Sequence, residues 1–340
     1  MLQGRYNSIW IETFLFAISS VFLYQLSFGI FFFLIPLQIL FIRQGEKYFT
    51  ASILVTFIAI ALIKFIRIEL AHMEGGLGVF FPLELAILTA FLAGIYLINY
   101  EKFKKFNILI RLFIITAGFG LASIPVILAL RVNENFLAQM NDLFSVLSSS
   151  LQKVFSSNSS TEIPLLSKIL SPEALKKTTK AVFFRSYIFD YFVLISFSWW
   201  AGIRIAFKYK TAALKNPEKP HKILQLSELK LEEYYVWPLI LSLAVILLDL
   251  WVHTGVLAAI AWNAALILLL LYGLVGIAII KFFLKFFNVS RGFRIIIIST
   301  IIILLLSPKI NIVFLLLIPG LGISEIWIKY REMERSKKEK

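Results

Sequence analysis

The stretch LAVILLDLWVHTG, residues 243–255, carries one carboxylate, Asp249, in a run that is otherwise hydrocarbon, and His253 follows four residues later. On a continuous helix that spacing puts a carboxylate and an imidazole on one face, within reach of each other. It is the one acid–base pair here that an intramembrane enzyme, such as a transferase acting on a lipid-linked substrate, would use. Carboxylates also hold cations and amines, and other polar residues have similar surroundings. Glu84, Asp190 and Asn263 lie within three further apolar stretches, and His72, with Glu69 and Glu74, flanks the connection before Glu84. A carboxylate at the centre of a bilayer costs about 2.5–3.5 kcal/mol, so ionisable groups in such runs mark sites. Glu84, Asp190, Asp249, His253, Asn263 and His72 read as the walls of an outward-facing polar pocket for a small polar or cationic solute. A plainer reading stands beside it, in which each acid reaches the interface or pairs with a basic neighbour, and Lys64, Arg67 and Arg185 are at the same level. Glu12 and Glu325 fall on the opposite side and pair with basic residues there.

Other chemistry is excluded by what the chain lacks. There is no phosphate-binding G-x-x-x-x-G-K-[ST] loop, no H-E-x-x-H and no G-x-S-x-G. With no cysteine, disulfides, thiolate metal sites and cysteine nucleophiles are absent. His72 and Glu74 in AHMEGGLG, residues 71–78, belong to an outer turn built on Gly75, Gly76 and Gly78 rather than to a metal site. No metal or cofactor is expected.

The elements that must position these residues follow from composition. The chain is 59% hydrophobic and 16% charged, against about 45–50% and 25% in soluble domains, so its solvent is partly lipid. A spanning helix needs about 20 apolar residues. Ten stretches approach this: 9–26, 28–43, 48–66, 78–99, 106–130, 183–206, 236–253, 256–282, 293–307 and 310–329. The fold class is therefore an all-α, polytopic transmembrane bundle of eight to ten membrane helices. The second and ninth stretches are short enough to be tilted, re-entrant or half-spanning. Pro36, Pro125 and Pro319 mark kinks rather than loops. The first apolar run has no small-residue cleavage site after it and reads as a retained helix.

Lys and Arg bias sets the orientation. With both termini in the cytoplasm, the inner segments carry 24 of the 34 basic residues, and seven of the other ten lie between 131 and 185. The net charge of +14 is then topology and attraction to anionic lipid, and no nucleic-acid partner is implied. Residues 207–235, including ELKLEEYY, read as a solvated connector. The outer segment 132–182 is better organised. Phe136, Met140, Leu143, Phe144, Leu147, Leu151, Val154 and Phe155 recur at steps of three and four after an N-cap at Asn133. The SSNSST break follows, and Ser171, Pro172 and Glu173 open a second helix. These boundaries divide the chain into N-terminal membrane helices (1–131), an extracytoplasmic amphipathic segment (132–182), C-terminal membrane helices (183–330) and a basic tail (331–340). Trp199, Trp200 and Trp237 serve as interface anchors, and the Ala90–Gly94 and Gly118–Ala122 pairs suit close helix packing.

FFFLIPLQILFIRQGEKY (31–48), EEYYVWPLILSLAVILLD (232–249), LYGLVGIAIIKFF (271–283) and LLLIPGLGISEIWIKYRE (315–332) together resemble the YybS-like group of bacterial integral membrane proteins of unknown function. Glu325 stands where that group often has Asp. The resemblance implies a bacterial cytoplasmic membrane location and a distant similarity to the substrate-binding membrane subunits of energy-coupling-factor transporters, whose ligand site opens outward. Solute binding or transport is the leading expectation, with membrane lipids and other membrane subunits as partners. A non-catalytic scaffold or assembly factor is the alternative, and an enzyme comes third.

Overall fold

The computed structural model describes residues 2–26, 28–71, 80–158, 168–213, 229–307 and 310–331, and over these it is helical with no strand. Its contacts divide the chain into two units, Met1–Pro217 and Glu218–Lys340.

Besides short 3-10 turns, the first unit contains α1 (Leu2–Gln25), α2 (Leu34–Gln44), α3 (Glu46–Ala71), α4 (Phe81–Asn99), α5 (Ile108–Val132), α6 (Glu134–Asn158) and α7 (Pro172–Ala213). The helix expected to begin at residue 183 is the second half of α7, a 42-residue helix that starts in the outer segment. After Pro172 it holds no other proline and one glycine, Gly202, so nothing in the sequence interrupts it. It packs on α2, α4, α5 and α6. The division between the two units falls within the 207–235 connector.

At the centre of this unit is α2, 11 residues long, packed against α1, α3, α4 and α7. Leu34, Ile35, Leu37 and Leu40 are buried, as is Phe33 just before the helix. Its one buried amide, Gln38, exchanges two hydrogen bonds with Asn99 of α4: Gln38 Nε2 donates to Asn99 Oδ1 (3.1 Å) and Asn99 Nδ2 to Gln38 Oε1 (2.6 Å). Gly202 of α7 lies over the Gln38 side chain so closely that a β-carbon there would overlap Gln38 Cβ and Cγ. At the helix end, Glu12 of α1 receives Arg43 (2.8 Å) and Gln44 (2.6 Å), the pairing with a basic residue expected of that acid.

The second unit contains α8 (Val236–Asp249), α9 (Val256–Phe286), α10 (Arg291–Leu306) and α11 (Ile310–Ile328). Here α9 is central, packed against α8 and α11, and α10 packs on α11.

Among the described residues, six helices are long and apolar enough to cross a membrane: α3, α4, α5, α7, α9 and α11. The chain has the character of a multi-pass membrane protein. Of the other four expected spans, α1 has 24 residues but is apolar only over Ile9–Gln25, and three are shorter helices. With 11, 14 and 16 residues in α2, α8 and α10, and about 1.5 Å of rise per residue, they fall short of a hydrocarbon core of about 30 Å. The spanning helices leave apolar stripes uncovered, such as Leu54, Ile58, Leu62 and Phe65 on α3 and Leu315, Leu316 and Leu317 on α11, as lipid contact requires.

Candidate functional site

Glu84, Asp190 and Asp249 are each engaged close to home. Glu84, in the first turn of α4, accepts from Lys64 of α3 at 2.7 Å, so the plainer reading supplied its partner. Asp190 receives a hydrogen bond from Ser186 Oγ, one turn earlier on the same helix, at 3.0 Å. Its neighbour Tyr191 turns inward: the hydroxyl donates to the Ala90 carbonyl (3.0 Å) and the ring stacks on Phe119. Gly94 is what lets that ring approach, because a β-carbon there would strike the hydroxyl. The Ala90–Gly94 face is thus a packing face, whereas nothing lies within 4 Å of a β-carbon at Gly118.

Asp249 closes a turn. Its Oδ1 accepts from the backbone N–H (2.8 Å) and the hydroxyl (2.9 Å) of Thr254, and Gly255 follows with φ +59°. Helix α8 ends at Asp249, so the helical spacing assumed for His253 does not exist there. The imidazole sits in an exposed turn, and Thr254 supplies the donors instead. Asn263 is buried and donates to the Ala259 carbonyl of its own helix at 2.8 Å. His72 lies outside the described residues. Glu84 and Asp190 belong to one unit, and Asp249, His253 and Asn263 to the other.

The second unit holds a different concave feature, at the basic end of α11. Helices α9 and α11 cross at glycines: a β-carbon at Gly276 would overlap the Ile318 carbonyl, and one at Gly322 the Tyr272 carbonyl, with Gly276 N at 3.0 Å. Beside this crossing is a cavity of about 150 Å³ whose walls include Lys230, Glu233, Tyr272, Gly322, Glu325 and Lys329. Tyr272 is fully buried, and its hydroxyl has no hydrogen-bond partner within the protein. A buried hydroxyl left so costs about 1–3 kcal/mol.

One wall is fixed by a buried ion pair. Arg331 gives Nε and Nη2 to the two carboxylate oxygens of Glu325, and Nη2 also donates to the Leu229 carbonyl at 2.9 Å. The side chains of Arg331 and Glu325 are only 8% and 11% exposed, so this bidentate pair ties the 229–233 segment to the end of α11. Lys329 follows that helix with φ +46°, a left-handed residue of the kind that ends helices. Next to the wall, burial and then a hydrogen bond with Tyr234 raise the Tyr235 hydroxyl above the ordinary tyrosine range, so it stays neutral at physiological pH.

Sequence reasoning paired Glu325 correctly but gave ELKLEEYY no chemistry. The trace of the cavity was available: Gly322, Glu325, Ile326 and Lys329 recur at i, i+3, i+4 and i+7, one helix face that mixes a glycine with two charges. Compared with known proteins, the chain matches no family model, no curated protein and no solved structure.

Proposed function

We propose that this protein is a non-catalytic, multi-pass protein of the bacterial cytoplasmic membrane that binds a small polar ligand in its C-terminal unit. In this reading eight to ten segments enter the bilayer, with α2, α8 and α10 as partial spans, and both termini are cytoplasmic. The observation that carries it is the cavity beside α9 and α11, whose walls set Glu233, Glu325 and Lys329 among apolar residues. A concave site with a few charged groups among apolar walls is a feature of recognition sites more than of packing. Solute transport and kinship with the YybS-like group are extensions of the same proposal. Val275 also lines the cavity, so the test is to purify the full chain and a cavity-filling Val275→Phe variant, denature both, and compare the released small molecules and lipids by mass spectrometry. Reduced release from Val275→Phe is the expected result; identical profiles from two folded proteins overturn it.

A second reading, a membrane scaffold, draws on the local engagement of Glu84, Asp190 and Asp249. Acids committed to Lys64, Ser186 and Thr254 serve architecture first, and a solute at the outer side would have to displace those partners.

A further inference from the structure

Helix α7 is a rail along which two other helices climb. At about 1.5 Å of rise per residue its 42 residues reach about 63 Å, twice a hydrocarbon core of about 30 Å, so part of it stands clear of the bilayer. Within the apolar stretch α5 meets it: the Ser123 and Tyr187 hydroxyls bond at 3.1 Å, and Phe119 stacks on Tyr191. Before that stretch α7 is polar, at Lys176, Lys177, Thr178, Thr179 and Lys180, and there α6 takes over. Lys176 donates to Asn141 Oδ1 (2.6 Å), and Ser148 Oγ donates to the carbonyl of Leu170, just before α7. In both sets of contacts the numbers rise on α5 or α6 as they fall along α7, so both helices run antiparallel to it. Helix α6 thus continues the path of α5 out of the membrane, and its middle, between Asn141 and Ser148, stands about 6–15 Å beyond Lys180.

At that height an apolar surface has no acyl chains to cover it. Phe144 and Ser148 of α6 are buried, yet Leu143, Val146 and Leu147 beside them are 49%, 63% and 46% exposed. Met140, Leu143, Leu147, Ser150 and Val154 follow at steps of three, four, three and four, which is a heptad seam. The seam carries no charge. Between Glu134 and Lys153 the sequence has one charged residue, Asp142, and it lies about 120° round from Ser148 on the other side of the helix. The seam's side of the track continues inside the membrane. Counted from Ser123 and Ser148, the residues bonded to α7, Gly118, Ala122 and Ala129 hold the same places as Leu143, Leu147 and Val154: five before, one before and six after, about 100–140° round to one side. Gly118, Ala122 and Ala129 are exposed, and a β-carbon at Gly118 would meet nothing within 4 Å.

We infer that this face, from Gly118 and Ala122 on α5 to the Leu143–Leu147 seam on α6, is where a second copy of the chain docks. Copies inserted the same way in one bilayer are related by a twofold axis along its normal, so their α6 helices meet in parallel, each seam residue beside its own counterpart. An uncharged heptad seam matches itself in that arrangement, whereas an acidic or basic partner finds no counter-charge on it. The small residues below let the membrane helices approach closely. Confinement to one bilayer in one orientation also lowers the cost of association that so short a seam would meet in water.

Single cysteines in this cysteine-free chain test it: Met140→Cys and Leu147→Cys in the seam, with Ser149→Cys, exposed on the other side of α6, as reference. Native membranes are oxidised with copper phenanthroline, and the disulfide-linked dimer is followed on non-reducing gels. It should form at least about tenfold faster from positions 140 and 147 than from 149, because a disulfide needs α-carbons within about 7 Å. Adding Leu143→Glu to the Met140→Cys chain should slow its cross-linking at least about tenfold, since like charges would meet in an apolar seam. Leu143 is exposed in the single chain, so the melting temperature of that variant should not move. Cross-linking at 147 without 140 indicates antiparallel helices and overturns the arrangement. Equal rates at all three positions, no dimer, a product with the mass of another protein, or indifference to Leu143→Glu each overturn the inference.

Discussion

Two glycines on α11 that are two residues apart should respond unequally to the same methyl group. Gly322 is pressed against α9: its β-carbon would fall on the Tyr272 carbonyl and lie 3.0 Å from Gly276 N. Both are backbone atoms, so no side chain can rotate away, and the helices must part by roughly an ångström or more. A gap of that size forfeits a quarter to a half or more of each dispersion contact across the crossing. Overpacking of this kind costs about 1–3 kcal/mol. Gly320 has nothing within 4 Å of the same hypothetical atom, so Ala there is neutral. Taking about 2 kcal/mol for Gly322→Ala and about 2–4 °C per kcal/mol for a chain of this size, its melting temperature should drop by about 4–8 °C. The assay is thermal unfolding of the full chain in detergent followed by tryptophan fluorescence, with Gly320→Ala as reference. Superimposable melts would refute the claim that backbone approach at Gly322 sets the α9–α11 distance.

At the α8–α9 turn, Asp249→Asn keeps an oxygen acceptor for Thr254 and should cost less than about 1 kcal/mol, while Asp249→Ala loses both bonds and about 1–3 kcal/mol; equal loss in the two variants would remove the turn-closing role. For topology, a cytoplasmically active reporter fused after Lys340 should work, and the exposed Ser149 on α6, changed to cysteine in this cysteine-free chain, should react in intact cells with a membrane-impermeant maleimide. Labelling that appears only after lysis would invert the orientation drawn from the basic residues.

Features governed by local chemistry could be read in advance. The Asn133 side chain caps α6 by accepting from Phe136 N at 2.9 Å, and Ser171 caps α7 by accepting from Ala174 N at 3.3 Å; both are encoded within four residues. Helices α5 and α11 do continue through Pro125 and Pro319. Hydropathy alone could not tell a crossing from a buried half-helix, because α2 is as apolar as a span and is covered by protein instead of lipid. The spacing from Asp249 to His253 was read as helical, but the helix ends at the aspartate, which closes the turn with Thr254. The cavity escaped notice because its wall joins residues about a hundred positions apart, as in the Arg331–Leu229 bond, and no periodicity reports that.

The burial of α2 also imposes a schedule on synthesis. Gln38 meets its amide partner Asn99 61 residues later and is covered by Gly202 more than 160 residues later. At roughly 5–20 residues per second, about 3–12 s pass before the first partner leaves the ribosome and about 8–33 s before the second. Throughout that interval a proline-containing half-helix with an unpaired amide must be held by the insertion machinery or by α1 and α3 alone. Any nascent chain that stalls before residue 202 thus carries an uncovered polar plug, a mark by which membrane quality control could distinguish an unfinished molecule from a finished one.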